Sequence, residues 1–300
     1  MRDTPAPRVS RSSGRGLPPA LLPYLRLVRA PAVFSAIGDP LAGLLIGAGA
    51  LESGRGVRLA SGSALMYLAG MALNDLADRA EDARERPERP IPSGAISPRA
   101  AAIIGGTLLV AGIGAARGAG ARVTGPALAA LILAYDYKLK HSATLGPIAM
   151  GGCRALSLLM GVEAAGTRDA TPRGLEAAVL LGAYVAGLTL LARSETGAAR
   201  SAELRGGAAL AALALLVAAV RGGPASAPWA AAVVAITGRA VMRALKDPGP
   251  ATVGPAVGAL IRAVPALDGA LVAGSAPVPA RLLLSLLALT HSGRTLIPIT

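Results

Sequence analysis

Apolar segments follow one another from residue 31 almost to the end of the chain, each close to the length of a bilayer crossing and parted by short charged or glycine-rich breaks. Such a chain has few options. Lipid offers no hydrogen-bond partners to a bare backbone, so only helices or closed barrels cross it. The runs are continuous rather than alternating, which speaks against a barrel. Spans are expected at 31–51, 61–77, 99–116, 123–139, 145–163, 174–193, 206–221 and 227–245. A ninth lies between 252 and 298, with a tenth left open. Within it, 252–274 contains Arg262, Pro265 and Asp268 and reads as an interfacial helix, a bent span or both. The fold class is therefore all-α, a polytopic membrane helix bundle of about nine transmembrane helices. Small residues such as Gly43 and Gly47, Gly105 and Gly106, and Gly151 and Gly152 would let helix backbones approach.

Only 16% of residues are charged, against about a quarter in soluble domains. The net charge of +13 raises the question of nucleic acid, but aromatics make up 2% of the chain and the basic residues are scattered between apolar runs. Without aromatic platforms or a basic stripe, no nucleic-acid partner is expected; membrane lipid is. With the N-terminus inside, 19 Lys and Arg fall in inner segments and seven in outer loops. That bias predicts a plasma-membrane protein whose N-terminus and 75–94 loop are cytoplasmic. Residues 1–22, rich in Arg, Ser and Pro, read as a disordered cytoplasmic tail, and 23–300 as the membrane domain. Cys153 is the single cysteine, and His141 and His291 lie far apart, so no disulfide framework or histidine metal site is suggested.

Chemistry concentrates between Asn74 and Gly94. Six of the 17 acidic residues lie between 75 and 88, and Asn74 is the single asparagine. On a helix, positions 74, 75, 78 and 82 fall within roughly a quarter of the circumference. Oxygen ligands thus converge at the end of the second apolar run, followed by Arg84, Arg86 and Arg89. Carboxylates hold Mg²⁺, Mg²⁺ holds phosphate oxygens, and arginine forks take the remaining phosphate charge. The block reads as a diphosphate site; the bland alternative is a solvated loop between two helices. The shared stripe and the turn-rich R-P-x-R-P-I-P-S-G at 86–94 favour the site.

N-D-x-x-D-x-x-x-D at 74–82, followed by that 86–94 segment, resembles the first signature of the UbiA superfamily of intramembrane prenyltransferases; L-V-R-A-P-A at 27–32 looks like the family's segment before its first span. The resemblance implies a helical bundle around a lipid-accessible cavity, with a Mg²⁺-diphosphate site at its mouth. It implies Mg²⁺-dependent transfer of a prenyl group from a prenyl diphosphate to a lipophilic or aromatic acceptor. Carried over, Asp75, Asp78 and Asp82 would be catalytic metal ligands. Asn74 and Arg89 would contact substrate, and Lys138 with Lys140 would hold phosphate or merely anchor the span end.

The family's second acidic signature, D-x-x-x-D after the sixth span, is missing. L-L-A-R-S-E-T-G-A-A-R-S-A-E at 190–203 offers only Glu195, with Arg193 beside it as a candidate replacement for metal charge. This loss motivates an alternative: a non-catalytic isoprenoid-binding or export-associated relative. L-G-P-I-A-M-G-G-C-R-A-L-S-L-L-M-G at 145–161, with A-R-S-E-T-G, looks more like the UbiA-like EboC branch. Arg154 in that block either reaches the substrate or pairs with Asp136, Glu163 or a helix end. Asp39, before Pro40, is expected to be structural; Asp268 has no evident partner. Tyr67, Tyr135, Tyr137 and Tyr184 offer π-faces or interfacial anchors, the latter expected of Tyr135 and Tyr137. No general base is evident, with Asp136 and Glu195 as candidates.

Overall fold

Residues 20–193 and 201–281, with Leu283 and Leu286, are described in the computed structural model of the chain. After a short α1 (Leu22–Leu27) and a 3₁₀ turn (Ala30–Ala32), the helices are α2 (Phe34–Ala48), α3 (Ser53–Ala77), α4 (Arg79–Glu85), α5 (Pro98–Ala119), α6 (Thr124–Tyr137) and α7 (Leu145–Ala165). Then come α8 (Thr171–Ala192), α9 (Ser201–Gly222), α10 (Ala227–Lys246), α11 (Pro250–Arg262), α12 (Val264–Ala273) and α13 (Pro277–Ala280). Each of the eight expected spans overlaps one of these helices. Six helical runs among the described residues are long and apolar enough to cross a membrane, with α9 and α10 falling in one of them; α2, of 15 residues, is a shorter apolar helix. The chain is an integral membrane helix bundle.

Local chemistry sets the helix ends. The Ser97 hydroxyl accepts from Ala100 N–H at 3.1 Å, with Pro98 in the first turn of α5. The start of α6 is capped from a distance. Glu163, near the end of α7, accepts from the Arg122, Val123 and Thr124 amides at 2.9, 2.9 and 2.8 Å, which satisfies N–H groups a helix start leaves bare. The 252–274 stretch is two helices, α11 and α12, that meet at Ala263, two residues before Pro265, and together they make one run long and apolar enough to cross a membrane. Asp268 is fully buried in α12.

Two apolar clusters meet along α2 and α7. One gathers α2, α7 and the helices from α8 onward; the other joins α3, α5, α6 and α7 with Leu44 of α2. The seam between α2 and α7 has no room for side chains. A Cβ on Gly43 would collide with the Leu158 carbonyl, and one on Gly161 with the Pro40 carbonyl. Gly105 and Gly151 also sit at close approaches, whereas Gly106 faces open space.

Candidate active site

The last turn of α3 and all of α4 form nearly one helix. Asp78 N–H bonds the Asn74 carbonyl and Asp82 N–H the Asp78 carbonyl, both at 2.9 Å, across the slight break at Asp78. Asn74, Asp75, Asp78 and Asp82 therefore keep one face. The 86–94 segment then turns back on itself, with Ser93 N–H on the Arg89 carbonyl at 3.0 Å. Gly94 supplies the left-handed φ of 79°. Ile91 and Ile96 pack with Leu27, Ala72 and Ala101, which pins the loop beneath α1 and α5 and turns Arg89 onto the acids.

Three cations meet three carboxylates there. Arg89 Nη1 reaches Asp82 Oδ2 at 2.7 Å and Asp75 Oδ1 at 3.3 Å. Arg29 Nη2 reaches the same Asp75 oxygen at 3.0 Å. Lys140 Nζ bonds Asp78 Oδ1 at 2.5 Å and the Asn74 amide oxygen at 3.0 Å, while Asn74 Nδ2 donates to Asp78 Oδ2 at 3.2 Å. Arg193, at the end of α8, arrives at the same rim with Nη1 3.5 Å from the Lys140 carbonyl. Asp75 and Asp82 are buried, so desolvation makes each ion pair stronger than its surface counterpart and harder to leave half-made.

Arg29 and Lys140 are the residues that sequence reasoning missed or underweighted. Arg29 adopts φ 46° and ψ 47°, a left-handed conformation that strains a residue with a side chain. Its signal was the L-V-R-A-P-A segment itself. Lys138 ends α6 and is exposed, whereas the following 3₁₀ turn, Leu139–His141, carries Lys140 inward. Glu195 lies outside the described residues, as do residues 1–19.

Beneath the rim lies a cavity of about 220 Å³ between α2, α3, α6 and α7. Met66, Gly70, Leu128 and Ile132 make its walls largely aliphatic, with Tyr67 and Tyr135 also lining it. Tyr135 is thus a wall residue as well as a span-end residue. Tyr137 is exposed, and Tyr184 is buried elsewhere, donating to the Leu260 carbonyl at 3.1 Å. Arg154 lines the deep end, but its partners are neither Asp136 nor Glu163. It donates to Asp39 Oδ1 at 2.7 Å and to the Ser35 carbonyl near the start of α2. Beside it the Ser63 and Ser157 hydroxyls stand 3.1 Å apart.

The donor set suits Mg²⁺ in kind, being hard carboxylate and amide oxygens. Arg89 Nη1 already occupies a position of positive charge between Asp75 and Asp82. Among the described residues no three acidic, histidine or cysteine side chains stand together as a ready metal cage. The carboxylates wear cationic side chains instead.

A model of the UbiA prenyltransferase family matches residues 40–246. A digeranylgeranylglyceryl phosphate synthase from Methanothrix thermoacetophila is 45% identical over 73 residues, covering 24% of this chain and 27% of that protein. The match thus spans about a quarter of that relative's length. Solved structures extend the likeness in fold to most of the chain. One bearing on digeranylgeranylglyceryl phosphate synthase in membranes superposes with TM-score 0.61 and 20% identity over 85% of this chain and 98% of the other. The apo UbiA homologue from Aeropyrum pernix K1 gives 0.60 and 18% identity over 88% and 96%. A UbiA homologue from Archaeoglobus fulgidus, bound to GPP and Mg²⁺, gives 0.54 and 14% over 91% and 99%.

Proposed function

Because the chain belongs to the UbiA prenyltransferase family, we propose that it transfers a prenyl group from a prenyl diphosphate to a lipophilic acceptor within the membrane, with Mg²⁺ at the cavity rim. The observation that carries this reading is the set of three carboxylates and three cations gathered at the mouth of an aliphatic cavity. The Mg²⁺ and GPP bound by the Archaeoglobus fulgidus homologue support it. Asp75, Asp78 and Asp82, with the Asn74 amide oxygen, would hold the metal. Bound there, Mg²⁺ supplies positive charge to a diphosphate leaving group. Arg29, Arg89 and Lys140 donate to diphosphate oxygens once the carboxylates no longer need them, and Arg193 adds charge from the end of α8. Met66, Leu128 and Ile132 hold the prenyl chain and exclude water, and Tyr67 and Tyr135 offer π-faces to positive charge at its first carbon. By the charge bias of its loops, this rim faces the cytoplasm, where diphosphate and Mg²⁺ are available.

The likeness to digeranylgeranylglyceryl phosphate synthase favours a lipid-borne acceptor over a soluble aromatic one. The 145–161 block and the Arg193-containing A-R-S-E-T-G segment favour placement near the EboC branch. A second reading, an isoprenoid-binding component without turnover, has one specific observation behind it: every acid of the first cluster is already neutralised by a side chain of the protein.

The deciding experiment supplies the full chain in liposomes with prenyl diphosphates of different lengths, Mg²⁺ and a lipid extract as acceptor source, and follows diphosphate release. We expect release by the natural protein and its loss in Asp75→Ala and Asp78→Ala. Arg89→Gln should weaken prenyl diphosphate binding about 10- to 100-fold, the worth of a hydrogen bond to a charged group. Absent release, or release undiminished in Asp75→Ala, overturns the assignment. Binding without turnover, abolished by Asp78→Ala, establishes the second reading.

A further inference from the structure

A fourth carboxylate lies just below the rim and takes no part in its ion pairs. Asp136, in the last turn of α6, is 3% exposed and lines the cavity together with Arg29, Asn74, Tyr135 and Cys153. Its Oδ2 is buried with no hydrogen-bond partner among the described residues. No cation there stands within ion-pair distance of it, whereas Asp75, Asp78 and Asp82 each have one.

Asp39 Oδ2 and both Asp268 oxygens are likewise unbonded among the described residues, but neither of those acids lines the cavity. Glu163 caps α6 through three backbone amides, and Asp39 accepts from Arg154. A carboxylate in an apolar span is costly and normally finds a partner. Asp136 lines the cavity, so a molecule that enters meets its side chain. Facing it are Lys140 one turn on, Asp78, Asp75 and Arg29 across the mouth, and the Cys153 thiol on α7. Lys140 is already engaged by Asp78 and Asn74. Among these groups, Asp136 is the carboxylate that lines the cavity, and it has no ion-pair partner among the described residues.

We propose that Asp136 is the catalytic proton acceptor of the transfer, taking the proton that the acceptor substrate gives up. This rests on the prenyl-transfer reading above. In the step, the bond from the prenyl first carbon to the diphosphate oxygen breaks and its electron pair leaves with the diphosphate. An electron pair of the acceptor forms the new bond to that carbon, and the proton the acceptor gives up passes to the Asp136 carboxylate. Asp136 then returns that proton to water at the rim. One prenylated product, one diphosphate and one proton result from one acceptor and one prenyl diphosphate.

The test compares the natural full-length protein with Asp136→Asn and Asp136→Glu in liposomes, using a long-chain glyceryl ether alcohol and an alkylphenol as acceptor probes. Prenyl diphosphate affinity with Mg²⁺ and single-turnover rates across pH are both measured. Asp136→Asn should bind prenyl diphosphate within about twofold of the natural protein but form product about 10²- to 10³-fold more slowly, the usual worth of a positioned base. It should also lose the limb of the pH profile that rises with pH, and Asp136→Glu should restore part of both. Natural rate and pH profile in Asp136→Asn overturn the proposal, as does an equal loss of prenyl diphosphate binding, which would mark a structural acid. Should Asp136→Asn not be recovered folded, the solvent isotope effect on single turnover of the natural protein decides, and a value near unity overturns the assignment. No diphosphate release from the natural protein with any acceptor removes the prenyl-transfer reading itself. Turnover that ignores Asp136 removes only this inference.

Discussion

Arg154 sits inside the bundle with two carboxylates near it and hydrogen-bonds one of them. Its Nη2 holds Asp39 at 2.7 Å, while Asp268 packs against Gly38 with neither carboxylate oxygen bonded among the described residues. Removing the shared cation would strand two buried acids, whereas removing one acid leaves a pair. Arg154→Met should therefore cost about 3–5 kcal/mol and Asp268→Asn little or nothing, read as shifts of the thermal midpoint in detergent. Equal loss in both variants would contradict this account. The pairing spans 115 residues of sequence, and no local pattern points to it, so sequence alone does not choose Asp39 over Asp136, Glu163 or a helix end. The acid stripe was legible because 74, 75, 78 and 82 share a helical face whatever their partners. Its cations were less so. Whether Lys138 or Lys140 turns inward depends on a three-residue 3₁₀ turn after α6, and one residue of register there exchanges the two.

Helices touch in this bundle largely through what their glycines omit. At the α2–α7 seam, Gly43 and Gly161 each face a backbone carbonyl of the other helix. Backbone cannot rotate away as a side-chain tip can, so Gly161→Ala should force the helices apart at a cost of about 1–3 kcal/mol. Gly106→Ala, which meets nothing within 4 Å, should instead gain up to about 1 kcal/mol of helix propensity. Opposite shifts in thermal midpoint are the expected outcome, and a shift of the same sign would contradict it. The spans themselves could be read from sequence because apolar length alone decides a crossing. Which glycine lies at a seam could not, since Gly105 and Gly106 are neighbours in the chain and differ only in the face they present.

The molecule as a whole has two chemically different ends. Asp75, Asp78, Asp82, Lys140 and Arg193 gather at one, linked by contacts among themselves. The Glu163 cap of α6 lies at the other end of α6 and α7, and the exposed Arg168 follows α7 there. Loop charge predicts that the first end is cytoplasmic. Single-cysteine labelling checks it, because Cys153 is buried and should stay silent. In intact cells an impermeant maleimide should modify Arg168→Cys at once and Glu85→Cys only after lysis; the reverse order inverts the topology.

That α2 and α7 are pressed together along their main chains has a practical corollary for the chamber they border. Neither wall can be re-carved without unzipping the seam behind it. Between α3 and α6 the contact is of another kind: Ile132 Cγ2 lies 3.2 Å from where Gly70 would carry a Cβ, so bulk can be traded between those two positions by side chains alone. Whoever wishes to retune which tail this chamber accommodates has Gly70 and Ile132 as the adjustable jaw and α2 with α7 as the fixed one.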